Sequence, residues 1–248
     1  MQKISKFIIY FTAFVGFNAS YATNDGACNI RLEGEIVSSM IDDINKLDNC
    51  QKISVSISSG GGDGKVALDL SDVLIAKKAS ILVDRICLSA CADILLPSAT
   101  SITAVDGAVI GFHGNPLMKM ALAMRYKPPG WERCSLKPVE RMAKLYQRKN
   151  LNLSFWKDQI QRLQLENFFI NPDATEGRCP TMTMQFKNRM WMPSAQQIKN
   201  KLGLSIQGKL CSDLTDCPEA WFKSYFRSGT VIVVDEELSF RPESALSH

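Results

Sequence analysis

The sequence predicts an α/β fold, and three observations carry the prediction. "KISVSIS" alternates apolar Ile53, Val55 and Ile57 with polar neighbours, the period of a strand. "GKVALDLSDVLIAKK" follows directly at helical spacing. The same strand-then-helix order occurs before and after this pair, and βαβα order builds an α/β core. A chain of 248 residues with 46% hydrophobic content can bury one sizeable core, or one core with a helical appendage, and is too well mixed to be disordered.

The first segment is a targeting leader. "MQKISK" supplies a positive start with Lys3 and Lys6, "FIIYFTAFVGF" is a short apolar stretch, and "SYA" ending at Ala22 puts small residues at the cleavage positions. The alternative is an uncleaved membrane anchor, but that stretch is well short of the roughly 20 residues needed to span a bilayer, so cleavage is expected and leaves no stable membrane span. A periplasmic or secreted protein is expected. Without the leader's two lysines the net charge falls from +4 to about +2, and no basic run is interleaved with aromatics, which argues against a nucleic-acid partner.

Export decides how the cysteines read. All eight, Cys28, Cys50, Cys87, Cys91, Cys134, Cys179, Cys211 and Cys217, lie beyond the leader. An even number in an oxidising compartment favours disulfides. No pair forms CxxC, so a zinc ribbon or a thioredoxin-like motif is not expected, and no metal or cofactor is. Sequence alone does not fix connectivity, but the sequence-near candidates are Cys28 with Cys50, Cys211 with Cys217, and Cys134 with Cys179. For Cys87 and Cys91 a local disulfide, two separate bridges, or a thiolate nucleophile at a helix start all stay open.

Along the chain, "CNIRLEGEI" reads as a short strand closing on Gly34 and "VSSMIDDINKL" as an amphipathic helix. After the central strand and helix, "ASILVDRI" is a strand, "SACADILLPSA" a short apolar helix, and "SITAVDGAVIGFHG" two β-branched segments around a turn at Asp106-Gly107. Beyond His113 the pattern becomes helical: "KPVERMAKLYQRKN" and "NLSFWKDQIQRLQL" follow the Pro128-Pro129-Gly130 break. "MPSAQQIKNKLGLSI" is a capped helix ending at Gly203, and "GTVIVVDEEL" a late strand. The expected divisions are residues 1–22 as leader, 23–125 as α/β core, 126–187 as a helical arm, and 188–248 as a closing segment of the core with a C-terminal tail.

The glycine stretch "SSGGGDGK" fails the phosphate-loop pattern. Counting back from Gly64-Lys65 places Ser59 where the first glycine belongs, and Val66 follows the lysine in place of Ser or Thr. The dinucleotide pattern fails as well, because Lys65 takes its third glycine position. What remains is a strand-to-helix turn needing positive φ, or a cradle for an oxyanion. Downstream, Ser89 in "RICLSACADILL" falls where a strand meets a helix, with the Ala90 N–H following it. His113 in "GAVIGFHGNP" is, apart from His248, the only imidazole after the leader, hence the only one near the core able to act as a general base.

These residues resemble the Clp protease proteolytic subunit family, especially its exported relatives within the ClpP/crotonase superfamily. "LEGEI" is similar to the family's opening strand, "ISSGGGDGKVA" to its I-N-S-P-G-G loop, "CLSACADILL" to its nucleophile helix, and "IGFHGNP" to its histidine segment, in that order. "RMWMPSAQQIKNKLGLSI" resembles the closing segment more loosely. The resemblance implies a ClpP/crotonase-like core of repeated β-β-α units with an inserted or appended helical arm. It implies Ser89 as nucleophile, His113 as base, the N–H groups of Gly62 and Ala90 as oxyanion hole, and Gly60 and Gly61 as substrate-binding backbone.

This sequence departs from the family in two places. Gly60 replaces the loop proline, and the family's catalytic aspartate falls near Asn188, which carries no carboxylate. Asn188, or Asp173 or Glu176 from the preceding loop, would orient the imidazole, or the site is a dyad. The resulting expectation is a serine hydrolase, most simply a peptidase acting on peptide or protein substrates. The alternatives are an inert ClpP-fold binding protein, and acyl-thioester chemistry, which an oxidising compartment without coenzyme A disfavours. A homo-oligomer fits the resemblance, whereas an ATP-driven unfoldase partner is not expected outside the cytoplasm.

Overall fold

The structure is a computed structural model that describes residues 21–22, 27–47, 49–126, 135–163, 168–170, 182–184, 189–213 and 231–233. Its first half alternates strand and helix: β1 (Tyr21–Ala22), β2 (Ala27–Ile36), α1 (Ser39–Asn45), β3 (Lys52–Gly62), α2 (Gly64–Ala76) and β4 (Ser80–Leu88). A π-helical turn (Cys91–Leu95) runs into α3 (Leu96–Ser98), followed by β5 (Ile102–Ala104) and β6 (Val109–Gly111). The second half holds α4 (Pro116–Tyr126), α5 (Lys137–Arg148), α6 (Phe155–Leu163), β7 (Phe168–Ile170), β8 (Met182–Met184), β9 (Arg189–Trp191), α7 (Ala195–Leu202) and β10 (Val231–Val233).

The main sheet has the order β1-β2-β3-β4-β5, with β6 also on β4. All pairs from β2 onward are parallel, and only β1, the last two residues of the expected leader, joins antiparallel. The molecule is thus a mixed α/β structure built on a parallel sheet. Alternation decides its faces: Ile30, Leu32, Val55, Ile57, Ile81 and Val83 are buried in one core with Leu70 and Leu74 of α2. The intervening residues of β2 and β4 carry charges, with Arg31 bonded to Asp84 at 2.7 Å and Arg85 paired with Glu33.

The two expected segments around the turn at Asp106-Gly107 are strands β5 and β6, and they do not pair with each other. Both pair in parallel with β4, β5 against Ile81–Val83 and β6 against Ile86–Leu88. β4 is nine residues long, so one strand offers edge enough for two short ones in succession, and Gly107 (φ 85°) makes the bend between them. Within the stretch expected as a helical arm, β7 and β8 form an antiparallel pair. The late strand appears as β10, parallel to β9.

The helices α5 and α6 pack into the same core as the sheet. Met142, Leu145 and Tyr146 of α5, at spacings of three and four, and Phe155 of α6 are all buried. Arg141 locks α5 to α2 through Asp69 and Asp72, both at 2.7 Å, and its bond to Asp69 holds that carboxyl below its usual range. Ser194 and Gln197 close a capping box on α7, and Gly203 ends that helix at φ 89°.

Candidate active site

The proposed residues follow the carboxyl ends of neighbouring parallel strands. Strands β3, β4 and β6 run parallel, so their carboxyl ends, Gly62, Leu88 and Gly111, lie on the same side, where open parallel sheets place their ligand sites. Leu88 pairs in register with Gly111. Ser89 is the next residue on one strand, and His113 follows two residues after the other.

Ser89 leaves β4 with φ 57°, a left-handed conformation that costs a non-glycine residue on the order of 1–3 kcal/mol. Three contacts impose it. The Ser89 N–H donates to the Gly111 carbonyl at 2.9 Å, and the Asp93 N–H donates to the Ser89 carbonyl at 2.8 Å. Gly61 lies against the serine: a Cβ added there would be 2.7 Å from Ser89 Cβ and 3.2 Å from its Oγ. The serine is only partly buried, at a sharp strand-to-helix turn. The Ala90 N–H, first of the helix, has no intrahelical acceptor.

The glycines divide the work around this turn. The strand β3 continues through them rather than ending before them, and Gly61 adopts φ 101°. Its N–H donates to the Ser59 hydroxyl at 3.1 Å, which fixes the loop. A Cβ at Gly62 would fall 2.7 Å from the Ile36 backbone, whereas one at Gly60 would meet nothing within 4 Å. Gly61 is buried while Gly60 and Gly62 are exposed. At the start of α2, Asp63 accepts from the N–H groups of Lys65 and Val66 at 2.7 and 2.9 Å. A carboxylate already occupies that helix N-terminus, which disfavours a phosphate there.

The segment carrying His113 is held on both sides. Before it, Phe112 exchanges two backbone hydrogen bonds with Trp191, each 2.8 Å, and its ring meets Phe155 edge-on at 5.1 Å. After it, the buried Asn115 accepts the Met118 N–H at 3.0 Å and so caps the entry to α4. The imidazole is partly buried. Asn188, Asp173 and Glu176 lie outside the described residues.

A disulfide joins Cys87 and Cys91 across the turn that holds Ser89, with Cα atoms 5.2 Å apart. Of the three readings left open by the sequence, the structure has the local bridge, and neither sulfur is a thiolate. Cys28 and Cys50 are also bridged, joining the start of β2 to the loop before β3. Cys211 is disulfide-bonded, whereas Cys134, Cys179 and Cys217 lie outside the described residues. Among the described residues no group of three metal-binding side chains occurs and no helix is long and apolar enough to cross a membrane.

Reading the sequence alone missed Asp93. It sits in the π-turn one turn beyond Ser89 and is 1% exposed. Its Oδ1 accepts from Asn115 Nδ2 at 3.0 Å and from Gln159 Nε2 at 2.8 Å, and the Tyr146 hydroxyl donates to its main-chain carbonyl at 3.1 Å. Loss of water pushes the carboxyl up to about 6, against the pull of the two amides. The one available signal was an acidic residue within the apolar run "CADILL".

No family model matches the chain, and no curated protein does. Among solved structures, a membrane-bound stomatin-specific protease, 1510-N, solved as a point mutant, is similar at 15% identity. The match covers 54% of this chain and 67% of that one, with a TM-score of 0.38.

Proposed function

We propose that this chain is an exported serine hydrolase, most simply a peptidase, with a ClpP/crotonase-like core. Ser89 is the nucleophile and His113 the base. The observation that carries the reading is the left-handed Ser89, at a strand-to-helix turn, with its amide fixed by Gly111 and its side chain packed against Gly61. A strained residue persists only where its surroundings over-determine it, and such strain clusters at sites of chemistry.

In this reading the Ser89 Oγ attacks the substrate carbonyl carbon as His113 takes the hydroxyl proton. The oxygen that gains negative charge is met by the N–H groups of Gly62 and Ala90. Collapse of that intermediate breaks the bond to the leaving amine, which receives the proton from His113. Water then hydrolyses the acyl-serine by the same route, restoring the free hydroxyl. The disulfides fit an oxidising compartment, which supports export.

Hydrolysis of an unstructured polypeptide and of activated esters tests the reading. The purified chain without its leader should turn over at least one of them, and Ser89→Ala and His113→Ala should each abolish turnover. Equal rates in the wild type and Ser89→Ala would remove Ser89 from the chemistry, and no turnover by the wild type would leave the fold as an inert binding module.

A further inference from the structure

Among the described residues Asp93 is the one acidic side chain that is buried, and it stands where four elements meet. Its N–H holds the Ser89 carbonyl. Its Oδ1 receives Asn115, two residues beyond His113, and Gln159 of α6, while Asn115 Nδ2 also reaches Gln159 Oε1 at 3.1 Å. Tyr146 of α5 closes over its carbonyl. We propose that Asp93 is a positioning residue of the site: its carboxylate ties the turn that carries Ser89 to the segment that carries His113.

The proposal rests on the reading of Ser89 and His113 as the working pair, and the geometry gives it a mechanism. Asn115 is used at both ends, donating to Asp93 and accepting the Met118 N–H. Release of the first bond therefore loosens the whole turn between Phe112 and α4. A carboxylate makes stronger hydrogen bonds than a neutral acceptor, so the tie is tightest when Asp93 is charged. Burial opposes that charge, and Oδ2 has no hydrogen-bond partner. An apolar residue in this helix would pack at lower cost.

The group facing Asp93 that titrates is Tyr146, which burial and the Asp93 charge push well above its ordinary value, so it stays neutral. Asn115 and Gln159 do not titrate. On α2, Asp69 and Asp72 are engaged with Arg141.

The test compares wild type, Asp93→Asn and Asp93→Ala by amide hydrogen exchange at Met118 and by the rate of serine labelling with a fluorophosphonate across pH. Asp93→Ala should exchange Met118 at least tenfold faster and label at least tenfold slower. Asp93→Asn keeps the acceptor oxygen, so in mildly alkaline buffer both readouts should stay within about threefold of wild type.

On acidification through about pH 6, Met118 protection in wild type should weaken by no more than the threefold that separates it from Asp93→Asn, and labelling should show a step from Asp93 that the variant lacks. Met118 exchange unchanged in Asp93→Ala, or a pH response identical in wild type and Asp93→Asn, would overturn the proposal. If Asp93→Ala does not fold, the Asp93→Asn comparison decides alone. If wild type is never labelled, the reading of the site fails, and Met118 exchange still shows whether the tie exists.

Discussion

The Ser89 amide donates to the Gly111 carbonyl at 2.9 Å, so the proposed nucleophile is pinned to the strand that ends two residues before His113. A single backbone bond thus joins the turn that holds Ser89 to the strand that leads into His113. Gly61 closes the third side, and its lack of a side chain is what lets the loop approach.

Gly61→Ala should therefore abolish labelling and destabilise the fold by roughly 2–4 kcal/mol, since it adds a clash with Ser89 to a strained positive φ. Gly64→Ala, at the first residue of α2 with nothing within 4 Å of the new methyl, should stabilise the fold by up to about 1 kcal/mol. Urea unfolding of both variants checks the contrast.

Ser89→Gly should relieve the left-handed strain. Relative to Ser89→Ala, which keeps the strain, it should gain roughly 0.5–1 kcal/mol after the extra unfolded-state entropy of glycine is counted. Both variants should be inactive. A more stable but inactive Ser89→Gly, measured by thermal unfolding, would show that the conformation is kept for chemistry and not for the fold.

The two bridges should differ in kind. Chain-entropy arguments give the Cys28–Cys50 bridge, with 22 residues of separation, roughly 3 kcal/mol of stability, and the four-residue Cys87–Cys91 bridge roughly 2 kcal/mol. Replacing both members of the second by serine should lower the melting temperature and slow labelling without abolishing it. Labelling that survives Ser89→Ala but disappears in the double cysteine variant would identify a sulfur as the nucleophile.

Much of this architecture is written in local pattern. Ile53, Val55 and Ile57 mark a strand because their alternation matches a half-buried ladder, and Ser194 with Gln197 marks a helix start because both side chains cap it. Ser89 and His113 stood out through their places at strand ends. The parallel pairing of β5 and β6 with one strand was not legible, because a turn such as Asp106-Gly107 looks the same whether the segments beside it pair with each other or with a third. Asp93 was invisible for a related reason: its burial depends on Asn115, Gln159 and Tyr146, which lie 22 or more residues away.

Stability should fall with rising pH across the range set by Asp93. The folded chain holds this proton up to about pH 6, against an ordinary value of 3.8. Between those values the folded state binds more protons than the unfolded one, so the contribution present below pH 3.8 is lost by about pH 6. The loss is on the order of 3 kcal/mol. Asp93→Asn, which has no charge to bury, should lack this decline and unfold at a higher temperature than wild type in neutral buffer. Calorimetry across pH measures it, and parallel curves for the two proteins would contradict the burial cost.

The most direct test of the central claim is to treat the purified protein, freed of its leader, with a fluorophosphonate and map the adduct by mass spectrometry. The account predicts one adduct, on Ser89, absent in Ser89→Ala and strongly slowed in His113→Ala. An adduct on any other residue, or none on wild-type protein that is folded with its Cys87–Cys91 bridge intact, would contradict it.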